Sequence, residues 1–290
     1  MSPVHLIAFL LLGSIWGLSP SLYRLMSLAG VPELHVIVYT GLAVGLVLAV
    51  IAKFRGLTRA VWLYGAGCAA FLNVPFALSL FLSRHVPPTE YALITSTAPF
   101  FNYIAALVIG GEPATPRRLL AVAAGFASSA VLIVSREGTI AGQISWWTLV
   151  CFGVPILYVA YNMFAARYWP KDTNVMAVGA AESIMSGVLA IPFMLVLSPP
   201  MGQGVPPAFA YWTVLAATLI WIVERIAFFT LIRDKGSLYT IQTIYVATPA
   251  AVIFGFLIFG TGVDAWLLVS LAVLMLALWL NNSGRAAAQT

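Results

Sequence analysis

Residues Tyr91–Val134 read YALITSTAPFFNYIAALVIGGEPATPRRLLAVAAGFASSAVLIV. An apolar run interrupted by Pro99 ends in a Gly110-Gly111-Glu112-Pro113 turn, then Arg117 and Arg118 precede a second apolar run. The pattern returns over Tyr239–Leu280, YTIQTIYVATPAAVIFGFLIFGTGVDAWLLVSLAVLMLALWL, where Pro249 and Gly260 repeat the spacing of Pro99 and Gly110. Trp62 and Trp212 match at the same offset. Self-similarity at a fixed interval is the mark of a duplicated unit. The expected division is residues 1–138 and 139–290.

Composition decides what solvent the units meet. Of the 290 residues, 62% are apolar and 8% charged, against about 25% charged in an ordinary globular domain. So few charges could not cover so much hydrocarbon in water. Apolar runs of about 18 residues or more read as membrane-spanning helices. A β-barrel is excluded, because its strands alternate apolar and polar residues. Cys68 and Cys151 fall inside apolar runs and are read as packing residues rather than a disulfide.

Charges and Pro/Gly turns divide the chain into ten spans: about 4–27, 34–52, 61–82, 89–110, 117–134, 146–166, 176–197, 209–231, 238–259 and 263–281. Lys53, Arg55, Arg59, Arg117, Arg118, Arg167, Lys171, Arg233, Lys235 and Arg285 lie on one set of alternate loops and the C-terminus. Only Arg24, Arg84 and Arg136 lie on the other. That bias places both termini in the cytoplasm and makes the net charge of +5 a topology signal rather than a nucleic-acid footprint. Five spans per unit force the second copy to run upside down, the inverted-repeat plan of secondary transporters, with substrate held where the halves meet. The fold expected is all-α and integral to the membrane, with ten helices in two inverted five-helix repeats around a central cavity.

The span ending Pro99-Phe-Phe…Gly110-Gly111-Glu112 and the small-residue helix after it resemble the closing part of an EamA-type domain of the drug/metabolite transporter superfamily. Trp16-Gly17 in the first span is similar to that family's opening motif. The resemblance extends over the whole chain as two EamA-like units. It implies a ten-helix carrier exporting amino acids or related metabolites, most like the bacterial aromatic amino-acid exporters. The second unit departs from the pattern, with Thr261-Gly262 where the glutamate would stand.

Three ionisable residues lie deep inside spans: Glu182, Glu224 and Arg225. Such groups are costly in lipid and mark a functional site or an interior pair. At 1.5 Å per residue, Glu182 and Arg225 both lie roughly 9 Å from the cytoplasmic end of their spans, which predicts an ion pair or gate. Glu224 leaves its helix about 100° away from Arg225, so it is expected outside that pair. Candidate substrate-binding residues are the deep aromatics Trp16, Tyr39, Phe76, Tyr158 and Trp221, the polar Asn73, Tyr91, Thr95, Asn102, Asn162, Gln242 and Tyr245, and the helix-interrupting Pro99. For any one of these, interhelical hydrogen bonding or apolar packing is the plain alternative. Together they describe a cavity of amides, hydroxyls and rings with few charges. The fifth and tenth spans lack such groups and are expected on the outside. Prolines 20, 75, 99, 155, 192 and 249 should kink their helices, with Pro99 and Pro249 as paired hinges. Gly13-x-x-x-Gly17 and Gly41-x-x-x-Gly45 would let the first two helices pack closely.

His5, His35 and His85 sit at span ends without metal-ligand partners, and no nucleotide-binding or nucleophile motif is present. The expectation is a transporter rather than an enzyme, with no catalytic residue, metal or cofactor, in the bacterial inner membrane. It exports small amphipathic metabolites by alternating access. The alternative is a multidrug efflux carrier that takes lipophilic cations at a buried Glu. Its partners are a small-molecule substrate and the lipid bilayer, without nucleic acid; a monomer fits the sequence.

Overall fold

The computed structural model describes residues 3–108, 115–137, 145–200, 207–260, 262 and 264–286. The Gly110–Pro113 turn, with Gly111 and Glu112, and Thr261 lie outside the described residues. Every regular element among those described is helical: α1 (Pro3–Leu28), α2 (Glu33–Ile51), α3 (Arg59–Leu82), α4 (Pro88–Thr95), α5 (Ala98–Val108), α6 (Pro116–Glu137), α7 (Trp146–Cys151), α8 (Gly153–Arg167), α9 (Val175–Leu197), α10 (Pro207–Lys235), α11 (Ser237–Thr240), a 3-10 turn at Ile241–Thr243, α12 (Ile244–Phe259) and α13 (Ala265–Ala286). Among the described residues, seven stretches are long and apolar enough to cross a membrane: Pro3–Leu28, Glu33–Ile51, Arg59–Leu82, Trp146–Arg167, Val175–Leu197, Ala208–Lys235 and Ser237–Phe259. Among the described residues the fold is all-helical, with the long apolar helices of a multi-pass membrane protein.

The ends of these helices are set by local chemistry. Thr58 accepts a hydrogen bond from the Val61 amide at the start of α3, and Asn174 one from Met176 at the start of α9. Asp264 accepts from the Leu267 amide and opens α13. Each satisfies one of the amides that the first turn leaves without a partner. Gly260 closes α12 at φ +62°, a left-handed turn that a side chain resists.

The prolines divide into two kinds. Pro20, Pro75, Pro192 and Pro249 stay inside continuous helices. Near Pro99 the helix breaks: α4 ends at Thr95, Ser96 and Thr97 form a turn, and α5 begins at Ala98. Pro155 likewise lies just after the break between α7 and α8. A proline in a first turn costs no intrahelical bond, so the chain restarts its helix there. Pro99 and Pro249 therefore differ in effect, and the sequence echo does not make them an equivalent pair of hinges.

Helix packing corrects the reading of the two glycine motifs. Neither glycine motif faces the other. Gly17 faces α12, where an added Cβ would lie 2.5 Å from the Ala247 carbonyl oxygen. Gly41 faces α9, where it would lie 2.9 Å from the Gly187 nitrogen. The small residues bring together backbones far apart in sequence, α1 with α12 and α2 with α9. α6 and α13 pack against each other, with the Ser128 hydroxyl donating to the Ser270 carbonyl. Their Leu120, Trp266 and Leu276 point outward. Val196 is 81% exposed and Leu257 68%. In water, apolar exposure of this extent would form large sticky patches; in a bilayer it is the lipid-facing surface.

Charged side chains mark the two ends of the bundle. At one, Arg24 donates to the carbonyls of Ser83 (2.9 Å) and Arg84 (3.1 Å), and Arg84 pairs with Glu33 at 2.7 Å. At the other, His5 meets Asp234 at 3.0 Å, and Arg233 holds the same carboxylate.

Candidate functional site

A cavity of about 130 Å³ lies among α1, α3, α4, α8, α10 and α12. Two aromatic groups form its walls. Tyr23 meets Phe76 at 5.9 Å, Tyr91 at 6.3 Å and Trp221 at 6.3 Å between ring centroids, and Phe76 meets Trp221 edge-on at 5.2 Å. In the second group, Phe228 stacks on Tyr161 at 5.4 Å and tilts toward Trp16 at 6.2 Å. Edge-on and offset rings hold each other in place, so the walls are defined by their own packing.

A hydroxyl relay ties α3, α4 and α8 together at the cavity. The Tyr91 hydroxyl donates to Ser79 Oγ at 2.6 Å, Ser79 donates to the Pro75 carbonyl, and the Tyr158 hydroxyl lies 3.4 Å from Ser79. The end of α4 adds Thr95 and the Ser96 that follows it, whose hydroxyls bond to carbonyls of α4. Ser96 also meets Thr248 of α12.

The charged groups gather on one wall. Arg225 Nη1 lies 3.5 Å from Glu182 Oε1, and its Nε lies 3.2 Å from Glu224 Oε2. The same guanidinium donates to the Tyr161 hydroxyl at 3.2 Å, and Trp16 Nε1 donates to Glu224 Oε1 at 3.0 Å. Glu182 is fully buried and accepts from Ser183. The pair across α9 and α10 that equal depth predicts is present. The expectation for Glu224 is corrected: it shares Arg225 with Glu182. The divergence of neighbouring Cβ directions is real, but both side chains are long enough to fold back across it.

A smaller cavity of about 20 Å³ lies on the far side of this wall, against Thr40, Glu182, Ser183 and Ser186. Leu72, Phe76, Trp221 and Arg225 border both spaces and form the partition between them.

Of the residues that the sequence proposes for substrate, Trp16, Phe76, Tyr91, Thr95, Tyr158, Asn162 and Trp221 line the larger cavity, as do Glu224 and Arg225. The others stand elsewhere. Asn73 bonds to Ser186 of α9 through both ends of its amide. Tyr39 is 41% exposed, against His35. Tyr245 donates to the Leu278 carbonyl of α13. Pro99, the buried Asn102 and Gln242 lie outside the lining. Tyr23, Tyr161, Ser19 and Phe228 line the cavity although the candidate set omits them. Tyr23 stands beside Arg24 near a span end, where a tyrosine reads as an interfacial anchor; the length of α1 carries it inside.

Residues 4–134 match the EamA-like transporter family, of the drug/metabolite transporter superfamily. That family is one of transporters, and the match covers somewhat less than half of the 290 residues. No curated protein matches the chain. A solved structure described only as the crystal structure of a protein superposes with a TM-score of 0.64 at 16% identity, over 100% of both chains. That likeness concerns the fold alone.

Proposed function

We propose, with the EamA-like domain as premise, that this chain is a secondary carrier that exports small amphipathic metabolites by alternating access. Amino acids, aromatic ones in particular, are the first class to test. The observation that supports this reading is the aromatic cavity of about 130 Å³ between helices of both halves, with Glu224 and Arg225 on its wall. Flat apolar bodies suit such rings, and the charged wall suits a polar head.

The proposed architecture is ten spans in two units, 1–138 and 139–290, inverted with respect to each other. The element pairing supports it. Under a two-fold axis the first unit's second and fifth spans would meet their own mates; α2 packs on α9 and α6 on α13. The contact of α1 with α10 would be matched by that of α3 with α8, and both occur. An axis in the membrane plane produces this pattern with a substrate site near the midplane. The carrier would sit in a bacterial inner membrane with both termini cytoplasmic, its charged ends at Arg24–Glu33–Arg84 and His5–Asp234 facing opposite compartments. Glu182, Glu224 and Arg225 would form the gate beside the substrate.

The test is reconstitution in liposomes with a panel of labelled amino acids, followed in both directions. Saturable, protein-dependent flux of an aromatic amino acid is the expected result. Absence of flux for every solute in the panel overturns the amino-acid reading, and unitary currents in planar bilayers would replace the carrier with a channel.

A further inference from the structure

We propose that Arg225 binds the solute itself, and that the larger cavity takes an uncharged head whose carbonyl or amide oxygen accepts from the guanidinium. The inference rests on the reading of this cavity as the substrate site and narrows the head group that the site takes.

The open donor is on Arg225. A guanidinium carries five N–H groups and no acceptor. Nη1 donates to Tyr161 and faces Glu182, and Nε faces Glu224. Nη2, with two of the five, donates to no described residue and keeps accessible surface. Of the three charged side chains Arg225 is the most accessible, at 14% against 8% for Glu224 and 0% for Glu182. It lines the larger cavity together with Phe76 and Trp221.

The acceptors on the same wall are closed. Glu224 Oε2 and Asn162 Oδ1 are buried without accessible surface, and Glu224 Oε1 already accepts from Trp16. Glu182 borders the smaller cavity alone. An ammonium brings donors only, so it would find none of these acceptors open and would stand beside a guanidinium of its own sign. The hydroxyls of Ser19, Thr95 and Ser96 donate to backbone carbonyls, which leaves Arg225 as the charged donor open to a solute.

Charge disfavours the opposite ion. Glu182 and Glu224 share one guanidinium, so the group has no positive charge in excess whether one carboxylate is ionised or both. A solute carboxylate would bring a further negative charge into an enclosed site without a cation of its own, which is costly. A carbonyl oxygen occupies the open N–H groups and adds no charge. A hydrogen bond from an ionised donor is also about twice as strong as a neutral one.

Three congeners with one aromatic body separate the possibilities at neutral pH: phenylacetamide, phenylacetate and phenethylamine. Binding to the purified, detergent-solubilised chain is followed by calorimetry, and by quenching of the cavity tryptophans. The amide should bind tightest. Arg225→Lys keeps the positive charge but loses the planar fork. It should weaken the amide about tenfold to a hundredfold, the range for a hydrogen bond to a charged group, and leave the amine unchanged. Tighter binding of the acid or the amine overturns the proposal, and that ranking is read on the unaltered chain whether or not Arg225→Lys folds. A folded Arg225→Lys that holds the amide at full affinity overturns it too. Equal affinities, all weakened alike by Trp221→Ala, would retain the cavity and overturn the seat. Failure of all three to bind a folded protein overturns the cavity reading as well. Tight binding of the amide beside a liposome panel without amino-acid flux would support the seat and remove the amino-acid reading alone.

Discussion

Arg225 stands between Glu182 of the preceding long helix and Glu224, its own neighbour in sequence, at 3.5 and 3.2 Å. One guanidinium thus holds two buried carboxylates, one from each of two helices, and the three charges depend on one another.

Removing the shared member should be the most damaging change. Arg225→Ala leaves two buried carboxylates unopposed, a loss of about 3–5 kcal/mol for a broken buried pair. Glu182→Ala should share the defect in milder form, because Glu224 still opposes Arg225. Melting of the solubilised protein followed by circular dichroism checks both. Normal melting and transport in both single variants would remove the pair from any account of this protein.

Gly17 and Gly41 admit no side chain without displacing a facing backbone. Gly17→Val and Gly41→Val should each cost about 1–3 kcal/mol, the range for overpacking, visible as a lower melting temperature. Gly153, where an added Cβ meets nothing within 4 Å, is the control. Gly153→Ala should melt close to the unaltered protein, within about 1 kcal/mol, the helix-propensity difference between the two residues.

Trp221 borders both cavities and packs edge-on against Phe76. Trp221→Ala should weaken solute binding about tenfold or more, since loss of a large buried ring costs several kcal/mol of packing. Trp221→Phe keeps a ring and should lose less. Equal behaviour of the two variants in equilibrium binding would mean that the ring does not face the solute.

Arg24 and Arg84 test how much the polar end contributes. Arg84 is exposed, and its pair with Glu33 is of the kind worth about 0–1 kcal/mol. Arg84→Ala should therefore melt almost unchanged. Arg24 caps the carbonyls at the end of α3, and Arg24→Ala should cost more, about 1–2 kcal/mol for lost charge-assisted bonds. The reverse order would show that the surface pair matters more than the cap.

Topology can be checked without any substrate. In a chain whose Cys68 and Cys151 are replaced by Ala, a cysteine at Lys53 should react with an impermeant thiol reagent only from the cytoplasmic face. One at Arg84 should react only from the opposite face. Labelling of both from one side would overturn the orientation read from the basic residues.

Much of this protein is legible in its sequence, for physical reasons that can be named. A membrane requires long apolar runs, so α1, α2, α3, α9 and α10 lie within a few residues of the spans read directly from composition. Depth along a helix is a matter of counting, so the approach of Glu182 to Arg225 could be foreseen. Direction around a helix is harder. The Cβ vectors of Glu224 and Arg225 diverge, but flexible side chains of that length reach across the gap. Asn73 and Asn162 are the same residue type at similar depth, yet one bonds to Ser186 and the other lines the cavity. Which of these happens depends on a helix more than a hundred residues away, and no local pattern carries that. The break at Ser96-Thr97 was half visible: Pro99 announces an interruption, but whether a helix bends or restarts depends on what its neighbours supply.

The tight seams at Gly17–Ala247 and Gly41–Gly187 leave α1 and α12, and α2 and α9, no slack between their backbones. Each pair can therefore travel only as a single body, each helix riding with its partner. Any opening of the bundle must shear along looser surfaces, such as those lined by rings and side-chain tips, and the site itself lies on one of them.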